Sequence, residues 1–382
     1  MTGRVVLLMA SSLVLAACTS NVAEPVATEP GRLVVIDGSG DVVIVDPDGA
    51  NQLALTEDGG DGAVYSQPIW SPDGQRIAWG QLSDDGFAVA IGEVEETRVS
   101  EVAVTGLPFY LYWSSSGENI GVLHNGSSGL DFELVDVANG TAEVVGRGSP
   151  FYFSWNPSEE QLVTHVGQRT FDLIEAGGDK SNLGTTDPGY LAPQWTNAGI
   201  FHVAGEGLVI ENDGNRQVIA DVGEFTTFVA NGQGTHVALQ TTRGAPAISV
   251  GLVDVEVAPV NVVVVVDVKS GETQVVSSEP SVGYFWSPDG ESLLIFAATG
   301  GGVQPSVWTD GEELVDHVPF RPSLTLVRDL LPFFPQYAQS MSFWAADSSA
   351  FAYPTDDGVW VQTLDAEQPT RVSDGIWVAW SG

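Results

Sequence analysis

Short apolar runs alternate with turns rich in Gly, Asp, Ser and Pro from residue 32 to the end of the chain. Runs of this length, bounded by such turns, predict β-strands rather than helices. The first three are Arg32 to Ile36, Asp41 to Asp46 and Asn51 to Thr56. They are separated by Asp37-Gly38-Ser39-Gly40 and Pro47-Asp48-Gly49-Ala50, both favoured hairpin sequences. Further on, the unbroken valines of Asn261 to Val268 predict a strand covered on both faces.

One pattern recurs about every forty residues, a period that marks a repeat architecture. It reads Trp70-Ser71-Pro72-Asp73-Gly74 and returns intact at Trp286-Ser287-Pro288-Asp289-Gly290. Worn copies begin at Trp113, Trp155, Trp195 and Trp344, at Ala230 where the Trp is lost, and at Trp380, which closes the chain with Ser381 and Gly382. Strands between such anchors predict an all-β fold, a β-propeller of four-stranded antiparallel blades. Each unit opens with an anchor strand, but the first segment has none. Gly375 to Ser381 supplies it, so the C-terminal strand is expected to join the N-terminal blade and close the ring. The anchors then give eight blades, with seven as the other count if the Ala230 unit or the short unit from Trp195 to Val222 is not a blade. Two insertions interrupt the pattern, Thr242 to Pro259 and Pro319 to Gln339. Ser323 to Leu331 within the second predicts one short helix.

The repeat residues have structural uses. A buried Trp contributes on the order of 2 to 3 kcal/mol between adjacent sheets. Pro sets one turn dihedral, Asp bonds nearby amides and Gly takes the positive φ of the reversal. The repeat resembles that of the TolB-like propellers, found in the periplasmic protein TolB and ahead of the hydrolase in prolyl-oligopeptidase-like peptidases. The resemblance covers residues 32–382. It implies that the anchor strand is innermost in each blade, so that residues just before each anchor lie near the central channel. The loop from 319 to 339, running from one blade's last strand to the next anchor, is expected on the same side. The expected binding rim is therefore that loop, with Arg321, Arg328, Phe333 and Phe334, together with Tyr110, Tyr152, Tyr190 and Tyr284.

The chain starts differently. Arg4, the apolar run Val5 to Leu15 and then Leu15-Ala16-Ala17-Cys18 have the proportions of a signal peptide, with a core too short to span a bilayer. Leu-Ala-Ala-Cys resembles the bacterial lipobox, which implies cleavage after residue 17 and a diacylglycerol on Cys18, with palmitate as a further acyl group. Cys18 is the only cysteine among 382 residues, so an internal disulfide is excluded. Residues 18–31, rich in Ala, Glu, Pro and Thr, read as a flexible tether. With 50 acidic against 13 basic residues and a net charge of −37, nucleic acid is excluded as a partner.

Catalytic motifs do not emerge. The chain contains neither a Gly-x-Ser-x-Gly elbow nor a paired-histidine zinc motif. His124, His165 and His202 fall near the same strand of three successive units, but at different offsets from the anchor, which argues against a shared metal. The spacing of Asp37, Ser39 and Asp41 matches the start of a calcium loop, yet its twelfth position is Asp48 rather than Glu, and hairpin turns account for the same residues. The expectation is an exported, lipid-anchored monomer, without metal or cofactor, that binds or scaffolds an envelope protein or glycan. The rival expectation is a propeller lyase, glycosidase or hydrolase with acids in its channel.

Overall fold

The computed structural model describes residues 30–382 apart from 168–169, 186–191, 206, 213, 222–226, 241–248, 251–252 and 255–261. The expected signal peptide, Cys18 and nearly all of the expected tether, with Tyr190 and most of the 242–259 insertion, lie outside the described residues. Eight blades form the ring, and seven is excluded. Their innermost strands are Trp377–Trp380 in blade 1, then Ala63–Trp70, Pro108–Trp113, Phe151–Trp155, Gln194–Thr196, Thr227–Ala230 and Ser281–Trp286 in blades 2 to 7. In blade 8 the innermost strand shrinks to a single bridge, Trp344 to Phe351. The Ala230 unit is thus a full blade, and so is the short one from Trp195.

Ring closure follows the expected pairing. Trp377–Trp380 runs antiparallel to Leu33–Ile36, with Leu33 opposite Trp380 and Ile36 opposite Trp377. The early strands are shorter than the apolar runs, Leu33–Ile36, Val42–Val45 and Leu53–Ala54, because the flanking Asp residues cap the turns instead of extending the ladder. Asp37 Oδ1, for example, accepts from the amides of Ser39 and Asp41. Val263–Asp267 is covered along its valines, as an unbroken apolar run requires.

The tryptophans do more than fill space. The indole N–H of Trp70, Trp113, Trp155, Trp286 and Trp344 each donates to a carbonyl on the preceding blade's anchor strand: Ala379, Ile69, Tyr112, Val229 and Phe285 respectively. The acceptor is always the residue just before that blade's anchor position. One side chain therefore buries apolar area and satisfies a backbone group that no strand reaches. Where Ala230 replaces Trp, Gln194 takes over from the blade before, donating to Phe228 O at 2.8 Å and accepting from Ala230 N at 2.7 Å. The Ser-Pro-Asp-Gly turns are alike in both intact copies: Ser71 and Ser287 bond Asp73 and Asp289, while Gly74 (φ 66°) and Gly290 (φ 75°) take left-handed φ.

All these turns lie on one face of the ring. The loops leading into the anchor strands lie on the other. The chain enters the propeller on the turn face, where Ser381 N donates to Arg32 O and Arg32 N donates to the Ser381 hydroxyl oxygen.

Candidate functional site at the capped channel mouth

On the loop face, the 319–341 segment folds back over the channel. Its helical part is longer and less regular than one short helix. A π-helical turn, Leu326–Leu330, passes into a 3-10 turn, Leu331–Phe333, and then an α-turn, Phe334–Tyr337. Pro332 and Pro335 each lack an amide hydrogen, so no single i to i−4 ladder can run through them. Leu326, Leu330, Leu331, Phe334, Tyr337 and Met341 are buried beneath the segment. It caps the mouth with an apolar underside.

Polar side chains of the cap complete the channel edges of several anchor strands. Gln336 Nε2 donates to Phe153 O and to the Tyr110 hydroxyl, both at 2.8 Å, and its Oε1 accepts from Phe153 N at 3.2 Å. Tyr337 donates to Phe109 O and accepts from Gln67 Nε2, each at 2.7 Å. Gln339 accepts from the Ser154 hydroxyl and donates to Pro193 O. An innermost strand has no neighbour on its channel side, so its exposed carbonyls need such partners. Gln67 reaches the mouth from a left-handed conformation, φ 50°, where the pairing of its strand breaks between Ser66 and Ile69. Toward blade 7, Phe334 packs edge-on against Tyr284 and Phe285.

The structure separates the expected rim residues into two layers. Tyr110 and Tyr284 are buried under the cap, and burial raises both phenols well above the usual tyrosine range. Phe334 is buried with them, so none of these three is offered to a partner. They belong to the seam between cap and ring because strand alternation and the cap together exclude water from that layer. Tyr152 is half-buried, on the strand that pairs with His165. Arg321, Arg328 and Phe333 are exposed, with Arg328 bonded through its guanidinium to Asp329. Leu324 and Val327, 71% and 47% exposed, join Phe333 on the outer surface. Sequence reading missed both of them, as well as the structural roles of Gln336, Tyr337 and Gln339. The available signal was composition: between residues 318 and 344 the only acid is Asp329, in a chain otherwise crowded with carboxylates.

The histidines disperse into separate pairs. His124 lies 2.9 Å from Glu133, both side chains 1% exposed, and Thr105 donates its amide and hydroxyl to the same carboxylate. His202 is 3.3 Å from Glu211, and burial holds its imidazole below the ordinary value. His236 is 3.6 Å from Asp267. Among the described residues no three His, Cys, Asp or Glu side chains come together as a metal site. No helix among them is long and apolar enough to cross a membrane.

Similar solved structures cover nearly the whole chain. The structure of a eukaryotic initiation factor matches with a TM-score of 0.56 at 11% identity, over 93% of this chain and 98% of its own. An oligogalacturonate lyase in complex with manganese gives 0.54 at 11%, over 92% and 98%. The chain is an eight-bladed β-propeller. TolB from Acinetobacter baumannii is also similar, with a TM-score of 0.41 at 13% identity over 74% of this chain and 77% of that one. At these identities the likeness concerns the propeller fold alone. No protein-family model and no curated protein matches the chain.

Proposed function

We propose that this propeller is an exported, lipid-anchored binding module of the cell envelope, non-catalytic, whose docking face for a partner protein is the outer surface of the cap. One observation supports it above the rest. The chain spends its own 319–341 segment on closing the channel mouth, yet turns Leu324, Val327 and Phe333 outward from a segment whose only acid is Asp329. Clustered exposed apolar side chains on a soluble domain mark interaction surfaces. Elsewhere the net charge of −37 opposes close approach of any acidic partner. A tether from Cys18 would leave the propeller on the turn face, where Arg32 meets Ser381. The cap would then point away from the membrane that holds the lipid, toward a partner rather than the bilayer.

The test is capture from envelope extract by wild type and by the triple variant Leu324→Ser, Val327→Ser, Phe333→Ser. All three side chains are outward-facing, so the variant retains the wild-type fold, checked by its melting curve. A protein retained by wild type and lost by the variant supports the cap as docking face; the same protein retained equally by both refutes it. Separately, Cys18→Ser should release the protein from the membrane fraction, since a single lipid is the proposed anchor.

A further inference from the structure

Independently of the cap's outer surface, a cavity of about 290 Å³ lies where the 319–323 strap crosses from blade 7 to blade 8. The strap is fixed at both sides. Phe320 exchanges backbone bonds with Val303 at 2.8 and 2.9 Å, Ser323 N donates to Pro354 O, and Asp356 N donates to Arg321 O. A Cβ at Gly302 would stand 2.2 Å from Phe320 O, so the crossing is tight. The cavity is preformed rather than a gap between mobile loops.

Its walls combine flat apolar surface with uncommitted polar groups. Phe320 and Tyr353 stack with centroids 4.2 Å apart, and half-buried Trp360 forms another wall. Trp360 is held in place by its own indole N–H, which donates to Asp357 at 3.0 Å. The same Asp357 oxygen accepts from the Thr355 hydroxyl at 2.6 Å. Three lining groups remain without partners. Tyr353 is 1% exposed, yet its hydroxyl makes no hydrogen bond to any described residue. That oxygen is not sealed from solvent, so it stands free at the cavity wall to bond a ligand. The Arg321 guanidinium and the Asp356 carboxylate likewise make no ion pair or hydrogen bond among the described residues, although six other arginines each have a carboxylate within 4.0 Å.

We propose that this cavity is a binding site for one neutral sugar ring, a hexopyranose or the hexose end of a glycan. A pyranose has an apolar C–H face and an edge of hydroxyls, each able to donate and accept. Trp360 offers the flat surface for the face. Arg321 supplies donors, Asp356 acceptors, and Tyr353 both, for the edge. Size agrees with a single ring, since the volume of about 290 Å³ sits just below the roughly 300–1,000 Å³ of drug-sized ligand sites. Neutrality follows from charge. Asp356 and Asp357 share the rim with Arg321, and the chain carries −37 overall, so an anionic ring meets no net positive field.

The experiment is saturation-transfer NMR and calorimetry on the full-length protein with the methyl glycosides of glucose, galactose and mannose, each beside its uronic acid. At ordinary ligand efficiency a neutral methyl hexoside should saturate with Kd on the order of 1 mM. Trp360→Ala should abolish binding. Tyr353→Phe removes an oxygen that holds no protein group, so it should leave the melting temperature unchanged or raised while weakening binding about 2- to 10-fold. Arg321→Gln should weaken it by a similar or larger factor. Three results would overturn the assignment: no saturable binding by any neutral glycoside, binding indifferent to Tyr353→Phe and Trp360→Ala, or a uronic acid bound tighter than its neutral counterpart.

Discussion

Replacing Gln336 with Leu tests whether the cap is held to the ring by polar completion of strand edges. Gln336 is 5% exposed, and its amide meets three groups: Phe153 N, Phe153 O and the Tyr110 hydroxyl. Leu has nearly the same volume and keeps the apolar contacts. The Tyr110 hydroxyl retains Gln336's own backbone carbonyl and Ser340 as partners, so it is not orphaned. The amide and carbonyl of Phe153 are. Two buried backbone groups left unpaired cost about 1 to 3 kcal/mol each, so cap closure should weaken by about 2 to 5 kcal/mol after partial recovery by the leucine. With 1.4 kcal/mol per factor of ten, that is a roughly 30- to 4,000-fold rise in the population of the open cap. Hydrogen exchange at the Phe153 amide and limited proteolysis within 324–340 should both accelerate by that factor. The rest of blade 4 should exchange as before. If exchange at Phe153 and cleavage of the cap are unchanged, the three hydrogen bonds do not hold the cap and apolar burial alone does.

Other outcomes follow from the ring itself. Trp155→Phe keeps an aromatic ring between blades 3 and 4 but abandons Tyr112 O, which the indole N–H reaches at 3.0 Å; urea denaturation should show about 1 to 3 kcal/mol lost, and an unchanged midpoint would refute the staple. Deleting residues 376–382 removes the strand paired with Leu33–Ile36 and, with Trp377 and Ala379, both indole bonds across the seam between blades 1 and 2. A melting temperature within a few degrees of wild type would rule out closure by this strand. For pH, burial keeps His202 below its ordinary value of 6.5 in the folded state. The unfolded chain then binds the proton first, so this contribution is full above about pH 6.5 and declines as pH falls below it. The urea midpoint of wild type minus that of His202→Gln should therefore shrink between pH 7.5 and 5.5; a difference that grows on acidification would contradict the assignment.

The amino-acid sequence alone determined the ring. Every anchor from Trp70 to Trp380 heads or completes a blade, because a Trp followed by a Ser-Pro-Asp-Gly turn encodes a local event, one strand reversing into the next, and local events repeat legibly. Closure by the last strand was readable too, since the first unit lacked what the last one carried. The partners of those tryptophans were not readable. Which carbonyl Trp113 reaches depends on how blade 2 sits against blade 3, a relation across more than forty residues. The site was less legible still. Tyr110 and Tyr284 look like rim aromatics in sequence, and only the folded cap buries them, because whether a residue near a channel meets water depends on a segment about fifty positions away in one case and over two hundred in the other. The same holds for Tyr353 and Arg321, whose free hydroxyl and unpaired guanidinium are brought to one cavity by the strap between blades 7 and 8. Strand period and turn chemistry are short-range physics that a chain carries in its order of residues, whereas burial and polar satisfaction are set by neighbours that only the tertiary structure supplies.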